Sequence, residues 1–130
     1  NPTRIVIDHK AGLSPTLRLF NGEIPTICYT TVKESKVKNL EFVKLPEAGF
    51  VRQLLSDLHN KGIQSVIVEG GTKTIQAFID EGLWDEARVF QSTNCFGNGI
   101  HAPQLVDAVF DGKEEIKGDS LTYFKHSING

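Results

Sequence analysis

Glu69, Gly70, Gly71, Thr72, Lys73 and Thr74 are consecutive, and this order of residue types suits a phosphate-bearing ligand. Gly70 and Gly71 let the backbone turn sharply and let a ligand approach with no Cβ in the way. A helix starting just after them presents unpaired N–H groups and the positive end of its dipole, which together seat phosphate. The preceding run, Ser65–Val66–Ile67–Val68, is apolar, largely β-branched and bounded by Gly62, which predicts a buried strand over 65–69. Glu69 then falls at the carboxyl end of a strand, where open α/β sheets hold their ligands. A plain strand–turn–helix connection with a solvated glutamate accounts for the same residues equally well.

Other chemistries fail on spacing. Gly70–Gly71–Thr72–Lys73–Thr74 has the flavour of a Walker A loop but lacks its Gly-x-x-x-x-Gly-Lys-Ser/Thr spacing. After Gly71 no glycine occurs until Gly82, so the Gly-x-Gly-x-x-Gly fingerprint is missing. There is no Gly-x-Ser-x-Gly nucleophile elbow and no His-x-Glu with Pro-Cys-x-x-Cys zinc set. His9, His59, His101 and His126 do not cluster in sequence, nor do Cys28 and Cys95, so no metal site is expected. What remains is a phosphate seat without a strong nucleophile, as in an enzyme whose cofactor carries the chemistry.

Elements of alternating type must position this seat. Ile5–Val6–Ile7, closed by Asp8, reads as a buried parallel strand, and Asp8 as a residue that orients the loop after it. Residues 9–24 carry Gly12, Pro15 and Gly22 and read as loop. Pro25–Thr31 is a second β-rich run, and Leu40–Leu45 a short third one. Val51, Leu54, Leu55 and Leu58 then repeat at helical spacing, with Gly62 as the stop. Ile75, Phe78 and Ile79 mark a second helix ended by Gly82, and Ala87–Gln91 another strand. Phe96–Ile100 is a glycine-rich loop, Gln104–Phe110 is undecided between helix and strand, and Leu121–His126 follows a turn at Lys117–Ser120 as a final strand. The order predicts one α/β domain over 1–130, with a mostly parallel central sheet and an antiparallel C-terminal edge.

Composition narrows the partners. The 130 residues carry a formal net charge of −2, so no bulk field favours nucleic acid or a membrane surface. No apolar run approaches the ~20 residues that span a bilayer. Two distant cysteines fit buried thiols in a reduced, cytoplasmic setting better than a disulfide framework. Methionine is absent even at position 1, and the chain enters a strand after Asn1–Pro2–Thr3, so it is expected to be a piece of a longer chain.

Lys61–Gly62–Ile63–Gln64–Ser65 leading into Val68–Glu69–Gly70–Gly71 resembles the reductase domain of the bifunctional riboflavin-biosynthesis deaminase/reductase. Thr3–Asp8 looks like that family's first central strand, Gly82–Arg88 like its helix-to-strand corner, and Phe96–Gly97–Asn98–Gly99 like its late glycine loop. The resemblance spans most of residues 2–105 in consistent order, and residues 106–130 match by position only.

The resemblance implies a dihydrofolate-reductase-like three-layer sandwich. It implies NADPH-dependent reduction of 5-amino-6-(5-phosphoribosylamino)uracil, a small phosphorylated pyrimidine, to the ribityl compound. Glu69 would contact substrate; Gly70, Gly71, Thr72, Lys73 and Thr74 would hold the cofactor pyrophosphate. His9 would line the cofactor site, where the family commonly has a small hydroxyl residue. Lys33, Lys36 and Lys38 suit the 2′-phosphate of NADPH, and Thr30 and Thr31 its adenosine side, although a solvated loop and turn-forming hydroxyls explain both more simply. Trp84 reads as a core or dimer-contact aromatic.

The resemblance further implies a homo-oligomer, a dimer or larger. It places the deaminase half and the start of the reductase domain outside this chain, which alone is expected to be inactive. Two other readings stay open: a non-catalytic nucleotide-binding or dimerisation module, and another pyrimidine or pterin reductase of the same fold.

Overall fold

A computed structural model describes residues 2–128. The chain divides into two units, the first ending at Gln64 and the second starting at Ser65. The first holds strands β1 (Arg4–Ile7), β2 (Thr26–Thr30), β3 (Ser35–Val37) and β4 (Leu40–Lys44) and helix α1 (Phe50–Asn60). The sheet order is β1-β2-β4-β3. β1, β2 and β4 run parallel, and β3 pairs antiparallel with β4.

β2 is buried along its whole length, as befits a central strand in a parallel sheet. Ile27 and Tyr29 point to one face and join Leu45, Phe50, Leu54 and Leu58 in the core, with Ile5, Ile7 and Val43 against them. The helical spacing of Phe50, Val51, Leu54 and Leu58 turns one stripe of α1 inward. On the other face Cys28 pairs in register with Phe42, whose ring lies 5.6 Å from that of Phe20. Burial pushes the Cys28 thiol up to about 11, so it stays protonated and inert at neutral pH.

α1 ends as its sequence predicts. Gly62 adopts φ +83°, its N–H donates to the His59 carbonyl (2.9 Å), and the Ile63 N–H reaches back to Leu58 (3.0 Å). The last turns also carry a polar network. The Tyr29 hydroxyl donates to Asp57 Oδ2 (2.7 Å), which also accepts from Lys61 Nζ (2.8 Å), and Lys61 lies 3.4 Å from Glu41. Burial and the bond to Asp57 both raise the Tyr29 pKa. Burial pushes the Asp57 carboxyl up, but the donors Lys61 and Tyr29 outweigh it and hold the group below its ordinary value.

The second unit holds helix α2 (Thr72–Asp80) and strands β5 (Glu86–Gln91), β6 (Ala108–Ile116) and β7 (Asp119–His126). They pair antiparallel in the order β5-β7-β6, so the last strand is flanked on both sides. α2 buries Phe78 and Ile79 and ends at Gly82, φ +65°. Trp84 is part-buried and meets the ring of buried His126 edge-on at 4.8 Å, a core role. β6 and β7 form a hairpin around Lys117 and Gly118, both at positive φ, which matches strand twist in a two-residue turn.

Three expectations need correction. Residues 65–69 are not a buried strand: the segment carries no ladder, and Val66, Ile67 and Val68 are exposed, Ile67 by 91%. A β-branched run supplies strand propensity but not a partner, and none of the described strands pairs with it. Cys95 is exposed in the β5–β6 connection. Gln104–Phe110 is neither one helix nor one strand, because β6 begins only at Ala108 and runs on to Ile116. Its alternation is broken by a bulge between Phe110 and Gly112.

Candidate functional site

In the first unit, His9 follows the carboxyl end of β1, beside the ends of parallel β2 and β4, the edge at which open α/β sheets bind ligands. Asp8 shapes this edge. Its Oδ1 accepts the Gly12 N–H (3.0 Å) and its Oδ2 the Leu13 N–H (2.9 Å), which folds the loop back on the strand. The His9 carbonyl accepts from Thr31 N (2.9 Å), Thr31 Oγ1 (2.8 Å) and Thr30 Oγ1 (3.1 Å). The threonine hydroxyls are thus committed to holding the loop, and the His9 side chain remains half-exposed. Its ring stacks at 4.2 Å on Phe50, at the start of α1, and its Nδ1 lies 3.6 Å from Glu47 Oε2. Lys33 Nζ sits 3.8 Å over the Phe42 ring, while Lys36 and Lys38 are exposed on β3 and its turn.

In the second unit, Glu69, Gly70, Gly71, Thr72, Lys73 and Thr74 are gathered where the chain turns into α2. Gly70 has φ +124°, a conformation closed to most side chains. Gly71 is the residue before the helix, and no side chain caps the first turn. A Cβ built on Gly70 or Gly71 would meet nothing within 4 Å, so the space above both is open to a ligand. The Thr72 hydroxyl donates to the His101 carbonyl (3.0 Å) and so is turned away from the helix end. No acidic residue stands in the first turn, and Lys73 is exposed beside it. The donor set is therefore main-chain N–H groups plus one ammonium, the chemistry that a phosphate or pyrophosphate requires. Glu69 is exposed just before the turn.

Sequence reasoning did not find Gln76. Its amide clamps Gln104, accepting the main-chain N–H at 2.8 Å and donating to the carbonyl at 3.2 Å. Nothing in the local pattern signals this contact, since Gln104 takes part through its backbone. Among the described residues no group of His, Cys, Asp and Glu could hold a metal ion, and no helix is long and apolar enough to cross a membrane.

The parallel β1-β2-β4 set with α1, the glycine turn into α2 and the antiparallel C-terminal strands define an α/β fold of the dihydrofolate-reductase-like kind. The RibD C-terminal domain model matches residues 1–118, and the chain belongs to that family. It is 34% identical over 123 residues to the 2,5-diamino-6-ribosylamino-4(3H)-pyrimidinone 5′-phosphate reductase of Methanothermobacter thermautotrophicus, covering 89% of this chain and 56% of that protein. The same-named reductase of Archaeoglobus fulgidus is 30% identical, with 82% of this chain and 52% of that one covered. Among solved structures, the deaminase/5-amino-6-(5-phosphoribosylamino)uracil reductase of Thermotoga maritima superposes with a TM-score of 0.81 at 27% identity. That match covers 97% of this chain and 38% of the other. The chain thus spans about half the length of these archaeal relatives.

Proposed function

We propose that this chain is the C-terminal portion of a reductase domain that uses NADPH to reduce 5-amino-6-(5-phosphoribosylamino)uracil to its ribitylamino product in riboflavin biosynthesis. The observation that carries this reading is the uncapped start of α2 behind Gly70 and Gly71, in a chain of the RibD C-terminal family. Bound NADPH supplies the hydride for the sugar C1′. The amides of Thr72, Lys73 and Thr74 hold the cofactor pyrophosphate, Lys73 adds a positive charge, and His9 lines the cofactor site. Glu69 contacts the substrate. As the C1′–O bond of the ring breaks, the ring oxygen takes a proton from water, while Glu69 orients the ribose by hydrogen bonding. The enzyme works as a cytoplasmic homo-oligomer, at least a dimer.

A second substrate is favoured by the archaeal relatives, whose names specify a 2,5-diaminopyrimidinone in place of the uracil. The two differ on the pyrimidine and share the phosphoribosyl end that is reduced. Assays with each compound, followed by loss of NADPH absorbance, separate them.

Two results are expected. The 130-residue chain alone gives little or no turnover, whereas a protein of the relatives' full length is active. Full turnover by the chain alone would show that no further segment supplies essential contacts. In the full-length enzyme, Glu69→Gln lowers kcat more than it weakens NADPH binding. A rate unchanged by that substitution removes Glu69 from the site.

A further inference from the structure

The connection from β5 to β6, residues 92–107, contains no helix or strand. Irregular connections of this length are uncommon in compact folds and are often functional. Its second half is tied to α2. Thr72 Oγ1 donates to the His101 carbonyl at 3.0 Å, and Gln76 closes its two-bond clamp on Gln104 at 2.8 and 3.2 Å. Gln76 Nε2 is also 2.8 Å from Asp80 Oδ1. Thr72, Gln76 and Asp80 are spaced four apart and so form one stripe along α2. The segment from His101 to Gln104 is strapped along that stripe, with His101 at the start of the helix.

The residues before the strap are unlike it. Gly97 and Gly99 have φ +80° and +133°, and the flanking Phe96 and Ile100 are 97% and 91% exposed. Two large apolar side chains thus stand in solvent on a glycine-hinged loop, next in sequence to the residue bonded to Thr72. The strap fixes where that loop leaves α2, and it does so beside the open space over Gly70 and Gly71.

We infer that Gln76 is a positioning residue for the phosphate seat: its clamp on Gln104 lays the His101–Gln104 strap along α2 and fixes where the Phe96–Ile100 loop ends, beside the first turn of the helix. The inference rests on the reading of that turn as the NADPH seat. Two bonds to one peptide fix orientation as well as distance, which the single Thr72–His101 bond does not.

The test uses the full-length protein carrying Gln76→Ala, with fluorescence titration of NADPH and amide exchange measured at His101, Ala102 and Gln104. Gln76→Ala is expected to speed exchange at Gln104 and to raise the NADPH Kd about tenfold, with little change in Tm. The double variant Gln76→Glu with Asp80→Asn keeps an acceptor for the Gln104 N–H without placing two carboxylates together, and part of the affinity should return. Failure of the unsubstituted protein to bind NADPH overturns the seat and this inference with it. Binding by the unsubstituted protein and equally tight binding by Gln76→Ala overturns this inference alone.

Discussion

Truncating Leu54 to alanine is expected to lower stability by about 2–5 kcal/mol, the usual range for a buried leucine that leaves a cavity. Leu54 is 2% exposed and lies in the cluster that joins α1 to β2 through Ile27 and Tyr29. Its neighbours are fixed by other constraints and cannot close over the gap. Tyr29 is tied through its hydroxyl to Asp57, and Ile27 lies in a strand with ladders on both sides. Urea unfolding followed by far-ultraviolet circular dichroism measures the loss, with Leu13→Ala as the control. Leu13 is 41% exposed, and its truncation should stay within about 0.5 kcal/mol. A Leu54→Ala loss below that of the control would mean that the α1–β2 contact is not the core of the first unit.

Gly70→Ala is expected to act on binding. At φ +124° a side chain is strained even though nothing lies within 4 Å of the added Cβ. Holding alanine there costs about 1–3 kcal/mol. Because the surroundings are open, the turn can relax by moving, and Tm should change little. The relaxed turn no longer aims the first amides of α2 at one point. NADPH affinity should therefore fall at least about tenfold, the equivalent of about 1.4 kcal/mol. Gly71→Ala separates strain from access, since Gly71 already has φ −71° and accepts alanine without strain. Loss of affinity there reports a Cβ in the ligand's path. Unchanged NADPH affinity in both variants would exclude the turn from the cofactor site.

Much of this was legible because it is local. Val51, Leu54, Leu55 and Leu58 announce α1 by spacing alone, and Gly62 and Gly82 stop their helices at positive φ as read. Asp8 braces its loop and the Thr30 and Thr31 hydroxyls serve the main chain, again as their residue types suggest. The seat residues also fall together because they are contiguous. What escaped depends on partners. Ser65–Glu69 has the composition of a strand, but a ladder needs a neighbour that composition cannot supply. β3 is a short, exposed run of Ser-Lys-Val whose turn, Lys38–Asn39, lacks the Asn-Gly signature. β6 hides behind its bulge and its charged residues. The stacking of His9 on Phe50 in the first unit and the Gln76 clamp in the second each join residues far apart in sequence, so neither leaves a pattern to read.

The pairing order β5-β7-β6 bears on how the second unit forms during synthesis. β6 and β7 are adjacent in sequence and close through Lys117–Gly118, so their hairpin can form within about 1–10 μs once both are made. β5 precedes them, yet among the described strands its only ladder is to β7. A growing chain therefore carries β5, with Val89 and Phe90, unpaired until translation has passed β6 and completed β7. During that interval β5 is the unsatisfied edge on the ribosome, the place where a chaperone is most useful and a wrong partner most damaging.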